Sequence, residues 1–313
     1  MVRCYFLRML RPSSAAFLAT FSLLACSSNT DAPATTDGGT DTGASDAAKD
    51  TTPLGDGAAC DEPDQVFVKN ATGKATDTTG KALVGKPVSV CGSICFFAKT
   101  TADGSFDAAI NTCLKPDTFS ISVHGRPDAS LYQRVPALTG ASWILKDPLR
   151  VPTLPADGPD LPVDAKGVVT AKSTITSAGV SLTFEAGTVV ELDIEDVDLG
   201  ALGNKLRVAK VETKDYPPFT TGENVLALYA ANPFDAKFSK GKVGVSFAAP
   251  AGLAAGAAVE FVSLGNTFLS APFDAGKLIV VGTGKVSADG KTVSTDAGVG
   301  LTALTWVGVR AAK

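Results

Sequence analysis

The sequence predicts an all-β protein, with two β-sandwich domains following an N-terminal leader and a polar tether. Three observations lead there. Apolar and polar residues alternate in short runs, as in Phe119-Ser120-Ile121-Ser122-Val123 and Val180-Ser181-Leu182-Thr183-Phe184, which is the period of a half-buried strand. Glycine and proline, 31 and 18 of 313 residues, divide those runs with turn-forming segments. Helical signals are sparse: only Leu253 to Ala258 tempts toward a helix, and Gly252 and Gly256 would each cost about 1 kcal/mol there.

Composition narrows the function classes. With 45% hydrophobic residues the chain can bury real cores, and its length accommodates two domains. A net charge of −4 provides no basic face, so nucleic acid is not an expected partner. The single histidine, His124, removes most zinc, acid–base and triad chemistry, and neither G-x-S-x-G nor H-E-x-x-H occurs. The chain is therefore expected not to be an enzyme and to need no cofactor.

Residues 1–25 read as a cleaved leader. Arg3, Arg8 and Arg11 form a basic start, and Ala15 to Leu24 is an apolar run too short to remain as a membrane span. Leu23-Leu24-Ala25-Cys26 resembles the lipobox of bacterial lipoproteins. That resemblance implies a diacylglyceryl group on the Cys26 thiol, with Cys26 as the mature N-terminus and the membrane as a partner through lipid. Ser27, where an aspartate would signal inner-membrane retention in many bacteria, resembles an outer-membrane address.

Residues 26–58 read as a tether. Asp31, Asp37, Asp41, Asp46, Asp50 and Asp56 face one lysine, Lys49, amid Ser, Thr, Ala and Gly, so burial cannot offset the entropy of ordering. The Asp37 to Asp46 stretch lacks the spacing and distal glutamate of a calcium loop.

Residues 59–149 form the first predicted sandwich. Strands are expected at Val66–Val68, Pro87–Cys91, Phe96–Thr100, Ser105–Ile110 and Phe119–Val123, with a hairpin turn at Asp103-Gly104 and His124 on the wet face. Thr76-Asp77-Thr78-Thr79-Gly80-Lys81-Ala82-Leu83-Val84-Gly85-Lys86-Pro87 followed by Thr100-Thr101-Ala102-Asp103-Gly104-Ser105-Phe106 resembles the carboxypeptidase regulatory-like module. The resemblance covers about ninety residues and rests mostly on turn glycines. It implies a prealbumin-type β-sandwich with a structural role and brings no catalytic residue. Gly80 to Lys86 also matches part of a phosphate-binding loop, but Pro87 stands where Ser or Thr must hold magnesium, and a strand follows instead of a helix.

Cys60, Cys91, Cys95 and Cys113 are an even set in an exported chain and lack the spacing of a zinc site, so disulfides are expected. A regular Asp103-Gly104 hairpin would place Cys95 opposite Cys113, leaving Cys60 for Cys91.

Prolines 148, 152, 155, 159 and 162 mark a crossover, and residues 158–313 are expected to form a second sandwich of many short strands. Its richest chemistry is Glu191, Asp193, Glu195, Asp196 and Asp198. Read as a strand, the first three share one face, giving an acidic solvent surface; calcium binding is the alternative. Together these readings predict a lipid-anchored protein of the cell envelope, at the outer membrane, displaying β-sandwich modules to a surface glycan or protein. The rivals are a calcium-dependent adhesion or carbohydrate-binding protein, and an envelope hydrolase using carboxylates such as Glu185 or Asp193.

Overall fold

The structure is a computed structural model that describes residues 60–265 and 274–312. The expected leader, the lipidated Cys26 and the tether lie outside the described residues.

The chain is all-β, as its alternation predicts. The first segment contributes nine strands: β1 (Val66–Asp77), β2 (Pro87–Cys91), β3 (Cys95–Lys99), β4 (Ser105–Leu114), β5 (Ser120–Val123), β6 (Leu131–Arg134), β7 (Leu138–Thr139), β8 (Ser142–Ile144) and β9 (Leu149–Val151). They make two sheets, one ordered β4-β1-β8-β7 with β9 also paired to β1, the other β3-β2-β5-β6. Turn chemistry sets the strand ends. The Asp77 carboxylate accepts the backbone N–H groups of Thr79 and Lys81 at 2.8 and 2.9 Å, stopping β1 at a turn that Gly80 completes with φ of 89°.

The second segment adds β10 (Ser173–Ser177), β11 (Val180–Phe184), β12 (Val189–Glu191), a four-residue helix α1 (Ile194–Val197), β13 (Arg207–Lys210), β14 (Val225–Asn232) and β15 (Ala236–Ser239). It continues with β16 (Gly244–Ala248), β17 (Ala258–Leu264), β18 (Leu278–Val286), β19 (Thr292–Thr295), β20 (Ala303–Leu304) and β21 (Val307–Ala311). Nine of these form one sheet ordered β10-β11-β16-β19-β18-β17-β21-β14-β13, and β12-β15-β20 form a small one. Residues 251–257 are non-helical, with turns at Ala251-Gly252 and Ala255-Gly256, in line with the cost of Gly252 and Gly256 in a helix.

Two hydrophobic cores result, and the crossover near residue 150 does not divide them. The core of the first segment, built on Val68, Val90, Phe106, Phe119, Ile121 and Trp143, also takes in Leu228, Phe234, Leu264 and Trp306 from the second. The Trp306 indole N–H donates to the Ser130 carbonyl at 2.7 Å across a separation of 176 residues. The described residues accordingly belong to one compact unit.

The disulfide pairing also differs from expectation: Cys60 joins Cys113, and Cys91 joins Cys95. Asp103-Gly104 does turn the chain, with Gly104 at φ of 80°, but its two arms enter different sheets. β3 pairs with β2, opposing Cys95 to Cys91, while β4 pairs with β1, opposing Cys113 to Phe67 near the segment that carries Cys60. A hairpin register therefore never forms between Cys95 and Cys113.

Candidate functional site

The acidic stretch is not a strand face. β12 ends at Glu191, and Asp193 then caps α1, its carboxylate accepting the Glu195 backbone N–H at 2.9 Å. This turns Glu195 and Asp196 toward the first segment. Asp196 becomes fully buried, whereas Ile194 and Val197 are exposed at 68% and 53%.

The inward carboxylates close on a cation from the first segment. Arg126, only 7% exposed, donates from Nη2 to Asp196 Oδ2 at 2.9 Å and to the Phe234 carbonyl at 2.7 Å. Its Nη1 donates to Glu195 Oε2, and Asp193 Oδ1 stands 3.6 Å from Nη2. Burial raises the Asp196 carboxyl above the ordinary range against the opposing pull of Arg126. Glu195 moves the other way: its hydrogen bond with His124 holds it below the usual carboxylate range, outweighing partial burial, with help from Arg126.

His124 is not a lone solvent-facing ring. Its Nδ1 lies 3.1 Å from Glu195 Oε2, and its Nε2 lies 3.1 Å from Ser122 Oγ and 3.3 Å from Ser89 Oγ. An ionised Glu195 accepts at Nδ1–H, which leaves Nε2 to accept from a serine hydroxyl. Ser122, His124 and Glu195 thus have the spacing of nucleophile, base and orienting acid. The surroundings differ from those of an acyl-transfer site. Ser89 and Ser122 are 6% and 3% exposed, in β2 and β5, and each strand is paired on both sides, so the ladder consumes their backbone N–H groups. The array reads as a polar strut joining the two segments.

Of the remaining expected acidic ligands, Glu191 is exposed and accepts from Ser239 Oγ at 3.1 Å, and Asp198 is the exposed C-cap of α1. Among the described residues no three His, Cys, Asp or Glu side chains are grouped to hold a metal ion. No sequence motif marks Arg126 or assigns His124 a partner. The sequence does carry the helix signal, because Asp193-Ile194-Glu195-Asp196 is a cap followed by an acidic first turn. Nothing local announces a cation some seventy residues upstream.

A second feature lies on the outward side of the large sheet. An open-sided groove of about 700 Å³ is floored by Thr183 and Gly244 and rimmed by Lys172, Glu185, Lys242 and Asp296. Lys172 and Glu185 pair at 2.8 Å, both well exposed.

Scans of family models, curated proteins and solved structures found no match to this chain.

Proposed function

We propose that this protein is a non-enzymatic, lipid-anchored lipoprotein of the cell envelope, which displays its β body as a binding or structural module. The observation that carries the reading is the series Arg3, Arg8, Arg11, a short apolar run and Leu23-Leu24-Ala25-Cys26, followed by an acidic polar stretch. Two disulfides in the β body support an oxidising compartment outside the cytoplasm. The strut of Ser122, His124 and Glu195 supports a non-enzymatic role, because its serines are buried in doubly paired strands. The resemblance to carboxypeptidase regulatory-like modules agrees with a structural body.

Metabolic labelling with an acyl probe tests the anchor. The wild-type chain should incorporate label and Cys26→Ala should not; equal labelling would overturn the reading. A fluorophosphonate probe tests the second claim, with no adduct expected at Ser122 or Ser89 and a stoichiometric adduct counting against it.

A further inference from the structure

The groove on the large sheet gathers polar groups that keep hydrogen-bonding capacity beyond their contacts within the fold, although Lys172 and Glu185 are already paired. Lys242 is exposed and has no ion-pair or hydrogen-bond partner for its ammonium among the described residues. Asp296 accepts from Thr283 Oγ1 through Oδ2 at 2.7 Å, leaving Oδ1 directed to no protein donor among the described residues. Thr295 Oγ1 accepts the Val245 N–H at 3.1 Å and keeps its own proton to donate. Ammonium donors, carboxylate acceptors and hydroxyls that can do both therefore surround one space of about 700 Å³, the size of a small-ligand site.

The charges select the ligand class. Two lysines meet two carboxylates, so the rim offers no net attraction to a phosphate or a polyanion. A polyol fits better, because each of its hydroxyls both donates and accepts. A polar row lies on the same face of the sheet. Thr176, Ser181, Ser246 and Ser294 stand in register across β10, β11, β16 and β19, alternating with the core residues Leu182, Val245 and Val293. Along β11 this row lies two residues from Thr183, or about 7 Å. A chain of sugar units leaving the groove would meet hydroxyls next.

We propose that this groove binds a neutral oligosaccharide, with Glu185 and Asp296 accepting from sugar hydroxyls and Lys242 and Thr295 donating to sugar oxygens. The site contains no aromatic platform among its lining residues, so single-site affinity is weak. The proposal goes beyond the display reading and stands without the lipid anchor.

Gly244 gives the sharpest test. A Cβ there would meet Thr295 Oγ1 at 3.4 Å and the Thr183 Cβ at 3.6 Å, both ordinary contacts, so a side chain fits the backbone and fills the floor of the groove. The detergent-solubilised full chain is titrated calorimetrically with cellohexaose, maltohexaose and chitohexaose, and with oligogalacturonate as the anionic comparison. Saturable millimolar or tighter binding of at least one neutral hexasaccharide is expected, about tenfold weaker in Asp296→Asn and Glu185→Gln. Gly244→Leu should abolish it. Gly244→Ala, which keeps the melting temperature, should weaken it and covers the case in which the leucine variant does not fold. No binding by any neutral hexasaccharide, preference for oligogalacturonate, or undiminished binding in Gly244→Ala and Asp296→Asn would each overturn the proposal. Acyl labelling is read separately, so failure of one proposal is distinguishable from failure of the other.

Discussion

Arg126 and Lys242 are both cations set among carboxylates, yet the fold uses them in opposite ways. Arg126 is enclosed: three acidic side chains and a backbone carbonyl surround its guanidinium, and one of the carboxylates is fully buried. Lys242 stands at an open rim opposite groups that water still reaches. Burial makes the first cluster expensive to disturb, because each charge left alone in a low-dielectric interior bears its full desolvation cost. Exposure makes the second cheap to disturb and free to meet a ligand. A dense acidic sequence is thus a guide to charge and not to function, and position in the fold decides whether that charge holds structure or offers contact.

The contrast can be broken most strongly at its buried pole. Arg126→Ala removes the hydrogen-bonded cation from buried Asp196, leaving only the electrostatic influence of Arg207, and should cost about 3–5 kcal/mol, lowering the melting temperature by roughly 10 °C in thermal denaturation. A loss below about 1 kcal/mol would mean that the carboxylates find other partners. The disulfides repeat the comparison covalently. Cys60–Cys113 spans 53 positions and Cys91–Cys95 only 4, so paired Cys→Ser replacement should cost about 4 kcal/mol for the first and about 2 for the second. Equal losses in chemical denaturation would contradict the loop-entropy account.

Acid titration separates members of the clamp. Glu195 has a folded pKa below its unfolded value near ~4.3, so its contribution is complete above that value and is lost as pH falls through the lower folded pKa. Asp196, raised by burial, has the opposite sign and loses stability as pH rises from the unfolded toward the folded value. Between about pH 5 and 3, melting curves of Glu195→Gln should fall less steeply than those of the wild type, by a few degrees at most because Glu195 is partly exposed. At the groove, Lys242→Ala and Lys172→Ala should each change stability by less than about 0.5 kcal/mol. The smallest effect is expected from calcium, which should leave the melting temperature unchanged because Arg126 already occupies the space among Asp193, Glu195 and Asp196. A calcium-dependent rise removed by Asp193→Asn would reverse that reading.

Local rules carried much of the fold. Phe119, Ile121 and Val123 face the core as their alternation predicts, and Val180, Leu182 and Phe184 do the same on β11. The intervening Ser120 and Ser122 are buried as well, because β5 is covered on both faces, and serine does not announce that. What escaped the sequence was long-range. The arms of the Asp103-Gly104 turn belong to different sheets, because β4 pairs with β1 and β3 with β2. The acidic partners of His124 and Arg126 lie about seventy residues away, beyond any motif spacing. Asp193 is the exception, a helix cap written in four consecutive residues and outweighed by the apparent alternation of Glu191, Asp193 and Glu195.

The bond from Trp306 to Ser130 has a consequence for how the chain is made. Strands β1 to β9 emerge first, but the core between them lacks Leu264 and Trp306 until synthesis has passed those residues. Contacts of such sequence separation form late, because the long intervening loop must close before any burial rewards it. Strands β1 to β9 alone therefore cannot complete the core that Trp306 closes. A fragment ending before Leu264 would lack part of its own core, so the two segments are one folding unit in composition as well as in contact.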